Sequence, residues 1–102
     1  MGGQRVTHRE EVLNAALEAT TQRNVEYGKP ENVFARIAHL WRAYLHMTIT
    51  ETDVANMMIL LKIARAKSNP DHFDNYVDIA GYAACGWDAH KEGNNVYHEE
   101  EI

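Results

Sequence analysis

A chain of 102 residues has room for one hydrophobic core and none for a second. With 45% apolar and 25% charged residues it has the composition of a folded globular domain, which excludes a disordered, collagen-like or membrane-embedded chain. A net charge of −5 without a dense Lys/Arg cluster excludes a dedicated duplex-DNA binder. Six of the ten basic residues precede Thr48, and ten of the fifteen acids follow it, so the second half offers itself to cations or basic partners. Cys85 is the one cysteine; it fits a reducing compartment and reads as a small buried hydrophobe. The N-terminal stretch lacks the apolar core of a signal peptide, and the longest mostly apolar run, Val54 to Leu61, is far too short to span a bilayer, so the expected location is the cytoplasm of a bacterial cell.

In chain order, Thr7 and Glu10 form a capping box that opens a first helix from His8 to about Gln22, with Val12, Leu13, Ala16, Leu17 and Ala19 on its apolar stripe. Gly28 and Pro30 punctuate the chain, and Pro30 starts a second helix to about Leu45. Its stripe of Val33, Phe34, Ile37, Ala38, Leu40, Trp41, Tyr44 and Leu45 is wide enough to meet more than one neighbour. Thr50 caps a third helix running to about Lys67, with Glu51 and Asp53 at its start and Lys62, Arg65 and Lys67 towards its end. Apolar residues surround most of that helix, which predicts a central position. Ser68-Asn69-Pro70 ends it, and a fourth helix begins between Asp71 and Asp74 and reaches about His90. Its small residues, Gly81 and Ala83 to Gly86, permit close approach of another helix. The expectation is an all-α, antiparallel four-helix bundle-like domain over residues 1–92, completed by homo-oligomerisation, with a flexible acidic tail over residues 93–102.

The densest polar cluster is Asp71, His72, Asp74, Asn75 and Asp78. Asp74 and Asp78 lie one helical turn apart, a spacing at which two carboxylates can share Mg²⁺. The same acids would equally serve as charge partners for Lys62 and Arg65 across an antiparallel helix pair. Lys62 and Arg65 are candidate phosphate ligands, and so is the turn from Tyr27 through Lys29 to Glu31, where a helix N-terminus offers free N–H groups to an anion. His39 and His46 are two turns apart, too far for one metal. His39 falls level with Asn56, which predicts a buried hydrogen bond between them.

The series Tyr27-Gly28-Lys29-Pro30-Glu31, Phe34-x-x-Ile37-Ala38-x-Leu40-Trp41, Ile49-Thr50-x-x-Asp53-Val54-Ala55-x-Met57-Met58-x-Leu60-Leu61-Lys62-x-Ala64-Arg65 and Pro70-x-His72-x-Asp74-Asn75-x-Val77-Asp78-x-Ala80-Gly81-Tyr82 resembles a family of small phage and prophage proteins of unassigned function. More distantly it resembles the all-α nucleoside triphosphate pyrophosphohydrolases of the MazG type. That likeness implies a compact helical oligomer that splits nucleotides with Mg²⁺ held by carboxylates. Asp74 and Asp78 stand four apart, where the type has Glu-x-x-Asp, and the second helix has no Glu-x-x-Glu, so Asp53 or a second chain would have to complete the metal site.

Two functions follow. In the first, Asp74 and Asp78 hold Mg²⁺ as catalytic residues, Lys62 and Arg65 meet the phosphates of a nucleotide or other phosphorylated small molecule, and Asn75 or His72 orients water or base. In the second, the protein is a non-enzymatic binder that sequesters a nucleotide or engages a host protein. A purely structural role is the third possibility.

Overall fold

The computed structural model describes residues 6–27 and 30–92, without the side chains of 23–27 and 30–32. The described residues form four helices and no strand: α1 His8–Tyr27, α2 Pro30–Leu45, α3 Glu51–Ser68 and α4 Phe73–Lys91. The expected all-α, bundle-like architecture is therefore observed. The expected tail over 93–102 lies outside the described residues, as does Lys29.

Local chemistry sets most helix ends. At α1 the Thr7 amide donates to Glu10 Oε1 at 2.8 Å, and the Glu10 amide donates to Thr7 Oγ1 at 3.2 Å. The same reciprocal box opens α3: the Asp53 amide donates to Thr50 Oγ1 at 3.1 Å and the Thr50 amide to Asp53 Oδ2 at 2.9 Å. α2 ends at Leu45, where His46 takes φ 57°, a left-handed conformation unusual for a residue with a Cβ. Its N–H donates to the Arg42 carbonyl at 2.7 Å. α3 ends as the Asn69 N–H donates to the Arg65 carbonyl at 2.9 Å, just before Pro70. α1 continues to Tyr27, beyond the expected end near Gln22, because no residue between them forbids helix.

The core gathers Phe34 and Ala38 of α2, Ile49 of the connector, Val54 and Ala55 of α3 and Cys85 of α4, with Ile37, Trp41, Met58 and Tyr82 packed around them. The Phe34 and Tyr82 rings meet at 6.2 Å between centroids. α3 packs most extensively on α4, α1 also lies on α4, and α2 touches both α3 and α4.

This corrects the expectation that α3 is central: among the described residues α4 makes the two most extensive packings, with α3 and with α1, and also touches α2, whereas α3 has no such packing with α1. The small residues of α4 explain the position, since at Gly86 a Cβ would stand 3.0 Å from the Ala55 Cβ. The predicted stripes are corrected too. Leu13 and Leu17 of α1 and Leu40, Tyr44 and Leu45 of α2 are exposed. Met57, Leu60, Leu61 and Ile63 on the apolar circumference of α3 are exposed as well, and Trp87 of α4 is 62% exposed. One chain of this length has too few inward faces to cover them. His39 and Asn56 are both exposed, so the buried hydrogen bond expected between them is not made in the interior.

Candidate functional site

The fourth helix starts because Asn69-Pro70 forces a tight reversal. The His72 N–H donates to the Asn69 carbonyl at 3.1 Å, and the Asn75 N–H donates to the His72 carbonyl at 3.1 Å. His72 is the N-cap, makes no side-chain cap hydrogen bond and is exposed. Within two turns α4 then presents Asp74 to solvent, buries Asn75 to 3% exposure and turns Asp78 towards α3.

There Asp78 meets Lys62. Lys62 Nζ lies 2.8 Å from Asp78 Oδ2, with the two side chains 15% and 23% exposed. A pair so largely removed from water attracts more strongly than a surface pair, and losing either partner leaves the other charge poorly solvated. Arg65, one turn further along α3, is exposed.

The structure thus brings Lys62, Asp78 and Asn75 to the α3–α4 junction, with Asp74 and Arg65 at its rim. It leaves Asp53 in the Thr50 cap, nine residues before Lys62 and therefore about 13.5 Å away along α3. The side chains of Tyr27 and Glu31, and all of Lys29, are outside the described residues.

A hard cation wants several convergent oxygens. Asp78 is committed to an ammonium group, Asp74 is exposed at the rim and Asp53 belongs to another end of the molecule. Among the described residues no group of three or more His, Cys, Asp or Glu is placed to hold a metal. The described residues of a single chain do not fit a resident Mg²⁺.

Two features escaped the sequence reading. Glu51, read there as a dipole partner, is only 5% exposed, and its Oε2 has no hydrogen-bond partner. Burial raises its carboxyl pKa above the ordinary 4.5, an effect partly opposed by a hydrogen bond from its own amide. The available signal was its place between two core residues, Ile49 and Val54. The second is an open groove of about 490 Å³ at the C-terminal end of α2, lined by His39, Arg42, Ala43, His46, Met47 and Thr48. The left-handed turn at His46 lies in its wall, and no sequence spacing announced that turn.

No helix among the described residues is long and apolar enough to cross a membrane. The chain is 50% identical over 64 residues to the Gene 55 protein of Mycobacterium phage D29, a match covering 63% of this chain and 42% of that protein. It is 48% identical over 79 residues to the Gene 55 protein of Mycobacterium phage L5, covering 76% of this chain and 47% of that one. The matches thus span less than half the length of these curated relatives. No solved structure matches. The kinship with phage proteins expected from the motif series is shown by these relatives. A family model described as a domain of unknown function, DUF6378, matches residues 11–90, and the chain belongs to that family.

Proposed function

We propose that this chain is a non-catalytic, protein-binding helical module acting in a bacterial host. The observation that carries the reading is the distribution of apolar surface. Large hydrophobic side chains stand exposed on all four helices, including Leu17, Leu40, Tyr44, Leu60 and Trp87. Scattered singly these would need no explanation, but they repeat at helical spacing along faces, as in surfaces made to be covered by protein. The polar residues that would carry chemistry are meanwhile used internally, Asp78 by Lys62 and Asp53 by Thr50.

A benzophenone amino acid placed at Tyr44, 83% exposed on α2, is expected to trap one discrete protein in mycobacterial cells, the hosts of the related phages. Leu40→Glu, one turn away on the same face, is expected to abolish that adduct without lowering the thermal midpoint. Loss of the adduct only through unfolding, or no adduct at all, overturns the reading.

The α3–α4 junction favours a second reading, a MazG-like nucleotide-handling protein. Lys62 and Arg65 lie one turn apart there, and opening of the Lys62–Asp78 pair would free an ammonium for phosphate. Incubation with pooled nucleoside triphosphates and Mg²⁺, followed by mass spectrometry of the solution and of the retained material, separates the two. The module reading expects no turnover and no retained nucleotide. Pyrophosphate release abolished by Asp78→Ala would establish hydrolysis, and an unmodified nucleotide in the retained fraction would establish sequestration.

A further inference from the structure

The outer face of α4 carries Phe73, Tyr76, Ala80, Ala83, Trp87 and His90, spaced alternately by three and four residues, the repeat of a helix–helix seam. The three aromatic side chains are 46%, 41% and 62% exposed, and none of the other three positions is buried. The opposite side of α4 is already occupied: Gly86 meets Ala55 of α3 and Gly81 meets Thr20 of α1. The seam is therefore a second, unfilled packing surface on the helix at the centre of the fold.

We propose that this face binds the same face of a second copy of the chain in an antiparallel, two-fold symmetric pair. The proposal rests on the reading of the apolar faces as protein-binding surfaces and names the partner for one of them. Three observations select a second copy.

First, the seam is complementary to itself when reversed. Tyr76 of one chain falls opposite Trp87 of the other, Phe73 opposite His90, and Ala80 opposite Ala83. Crossing helices come closest at their midpoint and diverge towards their ends, so alanines belong at the centre and aromatic rings at the two ends, which is the order found.

Second, the backbone agrees with reversal. An antiparallel pair sets the N-terminus of each α4 beside the C-terminus of the other and so opposes the two helix dipoles.

Third, the area is of the right order. Aromatic side chains of this kind present about 200 Å² each, so the exposed fractions leave roughly 300 Å² of aromatic surface per chain and about 600 Å² in a pair. With the alanines, His90 and the flanking stems this approaches the ~1,000 Å² of a specific interface.

Sedimentation of the full chain from low to high micromolar concentration tests the pair. The expected species has twice the 11.6 kDa chain mass. Ala83→Glu places a carboxylate near the two-fold axis and is expected to give a monomer with unchanged helical circular dichroism, because position 83 is exposed within one chain. Leu40→Glu, on α2, is expected to remain a dimer. A wild-type monomer throughout the range overturns the proposal, as does a dimer that survives Ala83→Glu. A dimer broken only by Leu40→Glu overturns the assignment to α4 while leaving the binding-module reading in place, which the adduct at Tyr44 tests separately. For orientation, chains carrying Ala80→Cys and chains carrying Ala83→Cys are expected to cross-link to one another. Phe73→Cys chains are not, since reversal sets those positions about 25 Å apart along the helix. Ready cross-linking at 73 would overturn the antiparallel arrangement.

Discussion

At Glu51 the helix dipole and the core act in opposite directions. The first turn of α3 favours a negative charge, yet the carboxylate lies among core residues with Oε2 unpartnered, and burial raises its pKa. A folded state that holds this proton more tightly than the unfolded chain gains stability from it fully below the ordinary value of 4.5. That gain is lost as pH rises through the raised folded value. Glu51→Gln is therefore expected to raise the thermal midpoint at neutral pH, with the difference from wild type shrinking as pH falls towards 4.5, measured by circular dichroism melts across that range. His46 is a second residue held against its preference. At φ 57° its Cβ crowds the carbonyl, and His46→Gly is expected to stabilise the fold by about 1 kcal/mol in denaturant titration, offset in part by the freer unfolded chain. The turn at His46 was not legible from the sequence, and the burial of Glu51 was announced only by its place between Ile49 and Val54, because both are set by how α2 and α3 are joined.

The elements themselves were legible wherever the cause is local. Thr7 with Glu10, Pro30, Thr50 and Asn69-Pro70 fix helix ends through hydrogen bonds or ring geometry within a few residues, and those ends stand where the pattern put them. The Lys62–Asp78 pair followed the same logic, since a short reversal after α3 forces antiparallel packing and brings a C-terminal cation to an N-terminal acid. Which helix lies at the centre was not legible. Counting apolar residues favours α3, whereas the spacing between helices is decided by the glycines of α4. Two matched substitutions measure this. At Gly81 a Cβ would make ordinary contact with Thr20 at 3.5 Å, so Gly81→Ala is expected to stabilise by roughly 0.5–1 kcal/mol through helix propensity. At Gly86 it would stand 3.0 Å from the Ala55 Cβ on a stiff helix, so Gly86→Ala is expected to destabilise by about 1 kcal/mol despite the same propensity gain. Equal shifts at both sites in chemical denaturation would contradict the central role given to the α3–α4 approach.

For the whole molecule, the inward surface is small. Val54 is the one large side chain among the described residues that is fully buried, and several of the largest apolar groups face outwards. A fold of this kind draws stability from association, so its thermal midpoint is expected to rise with protein concentration. Ala83→Glu is expected to remove that dependence. A midpoint independent of concentration in the wild type would mean that the single chain holds itself together without its outer faces.

Cys85 lies on α4 next to Gly86, within the buried cluster that Phe34 and Ala38 of α2 and Val54 and Ala55 of α3 share. As the one thiol in the sequence, it makes the chain its own clock for internal breathing. A soluble alkylating reagent reaches the sulfur readily only when the cluster shared by α2, α3 and α4 opens, so the labelling rate in native buffer reads that opening equilibrium, with no probe introduced and no other cysteine to confuse the signal.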